Sequence, residues 1–201
     1  MIARRFSGPS VAVAVLFALA VAGSAMPAAA GDIALGGGAF GTGFTLPLLR
    51  LSWLLCFAGI GLWSGLLGGE TVWQFPAIAI SGALAGCLIG EAGFALPFAD
   101  LASVAGLVII GLSIMFGLQL PVLSPGALTL ILSLYLGAPL AQSVHGAHLW
   151  YWLGYGSAAL LAVSGGLGLA VMVGRAPLAL GVRTLGAGLA ATGILIFLDR
   201  I

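Results

Sequence analysis

The stretch Val72-Trp-Gln-Phe-Pro-Ala-Ile-Ala-Ile-Ser-Gly-Ala-Leu-Ala-Gly-Cys-Leu-Ile-Gly90 carries no charge from end to end. It is close to the length of about 20 residues that crosses a hydrocarbon core as a helix. Within it, Gly82, Gly86 and Gly90 recur every four residues and so share one helix face. A face without Cβ atoms lets helix backbones touch, which matters where lipid removes the hydrophobic drive for association. This segment therefore reads as a membrane-spanning helix built to pack closely.

Working outward, five more apolar stretches of similar length follow the same pattern: Phe44–Leu66, Leu101–Leu118, Val122–Leu140, Leu149–Val173 and Leu178–Leu198. The breaks hold turn residues or charge: Gly68-Gly69-Glu70, Glu91 to Asp100 with Pro97, Pro121, Pro139 to His148, and Gly174-Arg175-Ala176-Pro177. None is long enough for an extramembrane domain. The expected fold is all-α: a polytopic membrane bundle of about six transmembrane helices, residues 44–201, following a cleaved signal peptide.

Composition agrees. Hydrophobic residues make up 62% and charged residues 5% of the 201, so there is no polar shell for a soluble fold. Lipid is the expected partner. The six cations are all Arg and are scattered, which excludes a nucleic-acid surface and a polybasic lipid patch.

The first thirty residues read as an address. Arg4 and Arg5 precede an apolar run, Val11 to Gly23, of about 13 residues, too short for a span but suited to a signal. The small residues of Ser24-Ala25-Met26-Pro27-Ala28-Ala29-Ala30 then offer cleavage after Ala30. An uncleaved anchor, giving a seventh helix, is the rival reading. Residues 31–43, with Gly36-Gly37-Gly38, Gly41 and Gly43, read as a flexible lead-in. Export places this lead-in in the periplasm of a bacterium, with the chain in the inner membrane. Arg175, in the connection that would then be cytoplasmic, agrees with the positive-inside rule.

A second glycine ridge, Gly61, Gly65 and Gly69, closes the first helix. Both ridges fit tight packing within one bundle. They also fit a dimer or a docking face for another membrane subunit.

Few residues could carry chemistry. Arg50 lies about two turns into the first expected helix, where an ionisable group is costly; it either snorkels to the interface or pairs with Asp32 or Asp100. His145 and His148 have the three-residue spacing of a metal pair, but Gly146 and nearby Pro139 favour a loop, and no third ligand is fixed. Trp150-Tyr151-Trp152 and Tyr155 read as an interfacial aromatic belt. Cys56 and Cys87 fall in apolar runs and read as small hydrophobes, with a disulfide or a copper(I) pair as lesser readings. No phosphate loop, nucleophile triad or His-Glu-x-x-His zinc motif is present, so no cofactor and no catalysis are expected.

The layout resembles the HupE/UreJ hydrogenase/urease accessory membrane proteins. The resemblance is carried by Ala58-Gly-Ile-Gly-Leu-Trp63-Ser-Gly-Leu-Leu-Gly68-Gly69, by Trp73-Gln-Phe-Pro76 and by Gly86 to Pro97. It implies a small signal-bearing bundle and movement of nickel or cobalt. The family's His-Pro-x-x-Gly-x-Asp-His signature falls on Leu46-Pro47-Leu48-Leu49-Arg50-Leu51-Ser52-Trp53, where only the proline is kept. A His-Gly-x-Ala-His motif falls on Leu136-Gly137-Ala138-Pro139-Leu140, and a further His on Val163. Nickel and cobalt need imidazole and carboxylate donors, which Leu, Trp and Val do not supply. The resemblance thus implies the bundle with its metal ligands exchanged: an accessory or structural subunit, or alternatively a permease of nickel, cobalt or another small solute.

Overall fold

The computed structural model describes residues 38–94, 96–118, 123–143, 149–174 and 179–198. The signal region, most of the lead-in, His145 and His148 lie outside these residues. Seven helices are present among the described residues: α1 Gly38–Leu49, α2 Leu51–Leu67, α3 Thr71–Glu91, α4 Ala99–Phe116, α5 Leu123–Ser143, α6 Leu149–Gly174 and α7 Ala179–Leu198. Four of them, α3, α4, α6 and α7, are long and apolar enough to cross a membrane. A fifth span results if α1 and α2 count as one, and α5 contains a shorter apolar helix, Leu123–Pro139.

The last five helices match the apolar runs to within a few residues. One boundary moves: α5 continues through Pro139 to Ser143, where the sequence suggested a break. The first run differs in kind. It forms two helices that meet at an angle of 81°, and α1 begins at Gly38, within the expected lead-in.

Glycine organises the bundle. The most extensive pairings are α3 with α5, α2 with α6, and α4 with α7, and glycines line each. Gly82 meets Leu130 and Ser133, Gly86 meets the backbone of Leu134, and Gly137 meets Ala83 and Cys87. These contacts advance together along both helices, so α3 and α5 run parallel. Gly61 on Val163 and Gly65 on Ala170 set α2 parallel to α6. Gly193 against Val108 and Gly186 against Met115 make α4 and α7 antiparallel. All three directions are those of a chain that runs alternately up and down. Arg50, Glu91 and Asp100 consequently lie at one end of the bundle.

The two glycine ridges are therefore spent inside the chain. Gly61, Gly82, Gly86 and Gly90 are buried, in keeping with the reading of the ridges as packing within one bundle. Gly69 does not pack at all. With Gly68 it takes positive φ, 70° and 63°, in the turn from α2 to α3, a conformation that favours glycine. That turn is clasped by two buried hydroxyls. Ser64 Oγ donates to the Thr71 carbonyl at 2.8 Å, while Thr71 Oγ1 lies 2.7 Å from Gly68 O and 3.1 Å from Ser64 O.

The outer surface carries many large apolar side chains. Trp73, Leu88, Phe116, Ile131, Met172 and Leu195 are among the large hydrophobic side chains left exposed. Contiguous exposure of this kind marks contact with lipid.

Candidate functional site

The site is built around the corner between α1 and α2, where Leu46, Arg50, Ser52 and Trp53 lie. Arg50 itself is the corner. Its backbone is extended (φ −85°, ψ 98°), its N–H donates to Leu46 O at 3.2 Å, and its own carbonyl accepts from the N–H groups of Trp53 and Leu54 at 3.0 Å. A straight helix through residue 50 would have carried the guanidinium into hydrocarbon, a costly place for a cation. The corner instead leaves Arg50 exposed at the bundle end, so the expectation of a continuous first helix through Arg50 is corrected.

The guanidinium lies over the Trp53 ring, 4.6 Å from its centroid. Trp53 is buried, as are Leu136 on α5 and Val163 on α6; Leu46 and Ser52 are half-buried. Leu46 and Trp53 pack in or against the main core with Leu136 and Val163. Each of these four positions thus carries an apolar side chain seated in packing.

Helix α1 crosses α6 rather than lying along α2. Gly43 abuts the Tyr151 carbonyl and Gly154 abuts the Phe40 carbonyl, so a glycine from each helix permits the approach. This crossing meets the first turns of α6 at Tyr151 and Gly154.

Those two tyrosines were read from the sequence as part of an aromatic belt, with Trp150 and Trp152. The structure separates the four. Trp150 is exposed and Trp152 half-buried, whereas Tyr151 and Tyr155 are 1% and 0% exposed. The four-residue spacing of the tyrosines, which puts both on one helix face, was the available signal. Tyr155 packs edge-on against Phe57, with ring centroids 6.3 Å apart. Tyr151 packs edge-on against Trp152 at 5.3 Å. Neither hydroxyl has a hydrogen-bond partner among the described residues.

Two thiols belong to the same interior. Cys56 on α2 donates to Ser103 O of α4 at 3.2 Å, and Cys87 on α3 donates to Gly137 O of α5 at 3.5 Å. Both cysteines are buried and free, so no disulfide joins them. Among the described residues, no group of three or more His, Cys, Asp or Glu side chains gathers as a metal site would require.

Comparison with known proteins agrees with this architecture. The HupE / UreJ protein family model matches residues 16–196. Protein HupE of Rhizobium leguminosarum bv. viciae is 29% identical over 79 residues, which cover 39% of this chain and 41% of that protein. The match thus spans about two-fifths of that curated relative's length. No solved structure matches. With a family match across almost the whole helical region, this chain belongs to the HupE/UreJ family, as a multi-pass protein of the bacterial inner membrane.

Proposed function

We propose that this chain is an accessory or structural membrane protein of its family that has given up carriage of nickel and cobalt. One observation carries the reading. The positions where the resemblance places the family's metal ligands include Trp53, Leu136 and Val163, all buried in packing, together with Leu46 and Ser52. None of the apolar side chains can replace a water of a hydrated divalent ion. Arg50 adds a fixed positive charge at the same corner, which opposes the approach of a cation.

Any partner subunit would have to meet a lipid-facing surface, since the glycine ridges are occupied within the chain. In this reading the mature N-terminus is periplasmic after cleavage at Ala30, and the bundle end bearing Glu91 and Asp100 faces the same side.

The test is uptake of radiolabelled nickel and cobalt by cells that express the full chain and lack other uptake systems. Rhizobium leguminosarum Protein HupE serves as the comparison. Uptake equal to that of vector-only cells is expected. Accumulation above that level would overturn the reading in favour of the alternative, a permease. That second reading has its own support in the buried hydroxyls of Tyr151 and Tyr155, which give the bundle a polar interior.

A further inference from the structure

The direction of the membrane can be read from the helices that cross it. α2 runs parallel to α6, which is long and apolar enough to span a bilayer. α1 meets α2 at 81°, so it lies nearly along the membrane plane rather than through it. It carries Phe40, stacked on Phe44, and Leu49; Phe40 and Leu49 are exposed. Depth follows from the same packing. Followed back about three turns from the contact of Gly61 with Val163, Arg50 comes level with Trp152, next to exposed Trp150. Tryptophans at the ends of spans sit at the level of lipid headgroups.

Among the described residues, Arg50 is the one cation at this end of the bundle. Arg183, near the start of α7, lies at the other. One face of the Arg50 guanidinium rests on Trp53, which holds the group in place and leaves its N–H edges free. Beyond that ring, no hydrogen bond or ion pair holds the guanidinium among the described residues. A seated guanidinium with free edges at headgroup depth matches the paired oxygens of a phosphate.

We propose that Arg50, seated on Trp53 at the α1–α2 corner, binds the phosphate of an anionic phospholipid whose acyl chains lie against α1. Phosphatidylglycerol has that chemistry, because no amine in its headgroup offsets the phosphate charge. Free phosphate shares the oxygens but not the tails, and Glu91 and Asp100 at the same end repel it. The lipid is brought to the corner by its tails, which meet the exposed Phe40 and Leu49. One lipid on one arginine differs from the polybasic patch that the scattered charges exclude. The site does not rest on the functional reading above, since an accessory protein and a permease would hold the lipid alike.

Native mass spectrometry of the full chain, released from nanodiscs, counts the lipids that stay bound. From phosphatidylcholine with a minor share of phosphatidylglycerol, the parent is expected to keep phosphatidylglycerol well above its share. Retention in proportion to the mixture would overturn the site without recourse to any variant. Arg50→Gln is expected to weaken the retention about fivefold, the worth of one arginine at an anionic surface, and Arg183→Gln to leave it unchanged. An equal loss in both would overturn the site, because a general attraction of arginine for anionic lipid would then be the cause. Inorganic phosphate added before release should displace no lipid; displacement would assign the corner to a free anion instead. Phosphatidylglycerol should also raise the melting temperature of the parent more than that of Arg50→Gln. Equal shifts would separate the lipid from the corner and sink the proposal.

Discussion

The Arg50 guanidinium rests over the indole of Trp53, 4.6 Å from the ring centroid, at the corner between α1 and α2. The two partners contribute unequally. Trp53 is 2% exposed, so Trp53→Ala opens a cavity and should cost about 3–5 kcal/mol. Arg50 is exposed, and Arg50→Met, which keeps an apolar stem over the ring, should cost only about 0.5–1 kcal/mol. Unfolding by titration with SDS in mixed micelles measures both. A larger loss for Arg50→Met than for Trp53→Ala would contradict this assignment.

Glycines of one composition should differ sharply by position. A Cβ at Gly86 would run into the Leu134 carbonyl, whereas Gly165 and Gly168 on α6 face open space. Gly86→Ala should therefore destabilise the fold by about 1–3 kcal/mol, and Gly168→Ala should stay within about 0.5 kcal/mol of the parent. The loss at Gly86 should appear in the isolated chain, since its neighbour is α5 of the same molecule. If Gly86→Ala altered only co-purification with another protein and not stability, the packing described here would be wrong.

The clasp between Ser64 and Thr71 should hold the α2–α3 turn. Thr71→Val keeps the shape of the side chain and removes the hydroxyl that reaches Gly68 O and Ser64 O. A loss of about 1 kcal/mol is expected, near the net value of a buried hydrogen bond. Ser64→Ala, which removes the bond to the Thr71 carbonyl, should lose a similar amount. Limited proteolysis at Gly68-Gly69 should quicken in both variants; unchanged cleavage would show that the clasp does not control the turn.

Cys56 and Cys87 should be inert while the bundle is folded. Both are fully buried, and their thiols donate to carbonyls of neighbouring helices, an environment that denies reagent access. A membrane-permeant maleimide should label neither in the native protein and both after denaturation in SDS. The reduced and non-reduced chains should run alike on a gel. Rapid native labelling of either cysteine would place it at a surface.

Much of the helical layout was legible because its cause is local. An uninterrupted apolar run such as Val72–Gly90 can satisfy its backbone in lipid only as a helix, and α3 spans Thr71–Glu91. The Gly68-Gly69 turn was legible for the same reason. The corner at Arg50 was not, because the apolar residues on either side look alike whether the chain bends or continues; the bend follows from α1 finding α6 through Gly43 and Gly154. At the candidate site, the residue types at Leu46, Ser52, Trp53, Leu136 and Val163 could be read directly, but not their burial. The burial of Tyr151 and Tyr155 could not, since the adjacent Trp150 and Trp152 have the same interfacial chemistry.

The amino-acid sequence by itself thus determined a helical membrane protein and the limits of most of its helices. Solvent dictates those properties one segment at a time. Only the tertiary structure decided which glycines face which helix, that the first apolar run is two helices, and that two tyrosines lie inside. In lipid both faces of a helix are apolar, so hydrophobicity cannot say which face turns inward. Backbone contact and buried polar groups decide it, and both come into being only when the helices meet.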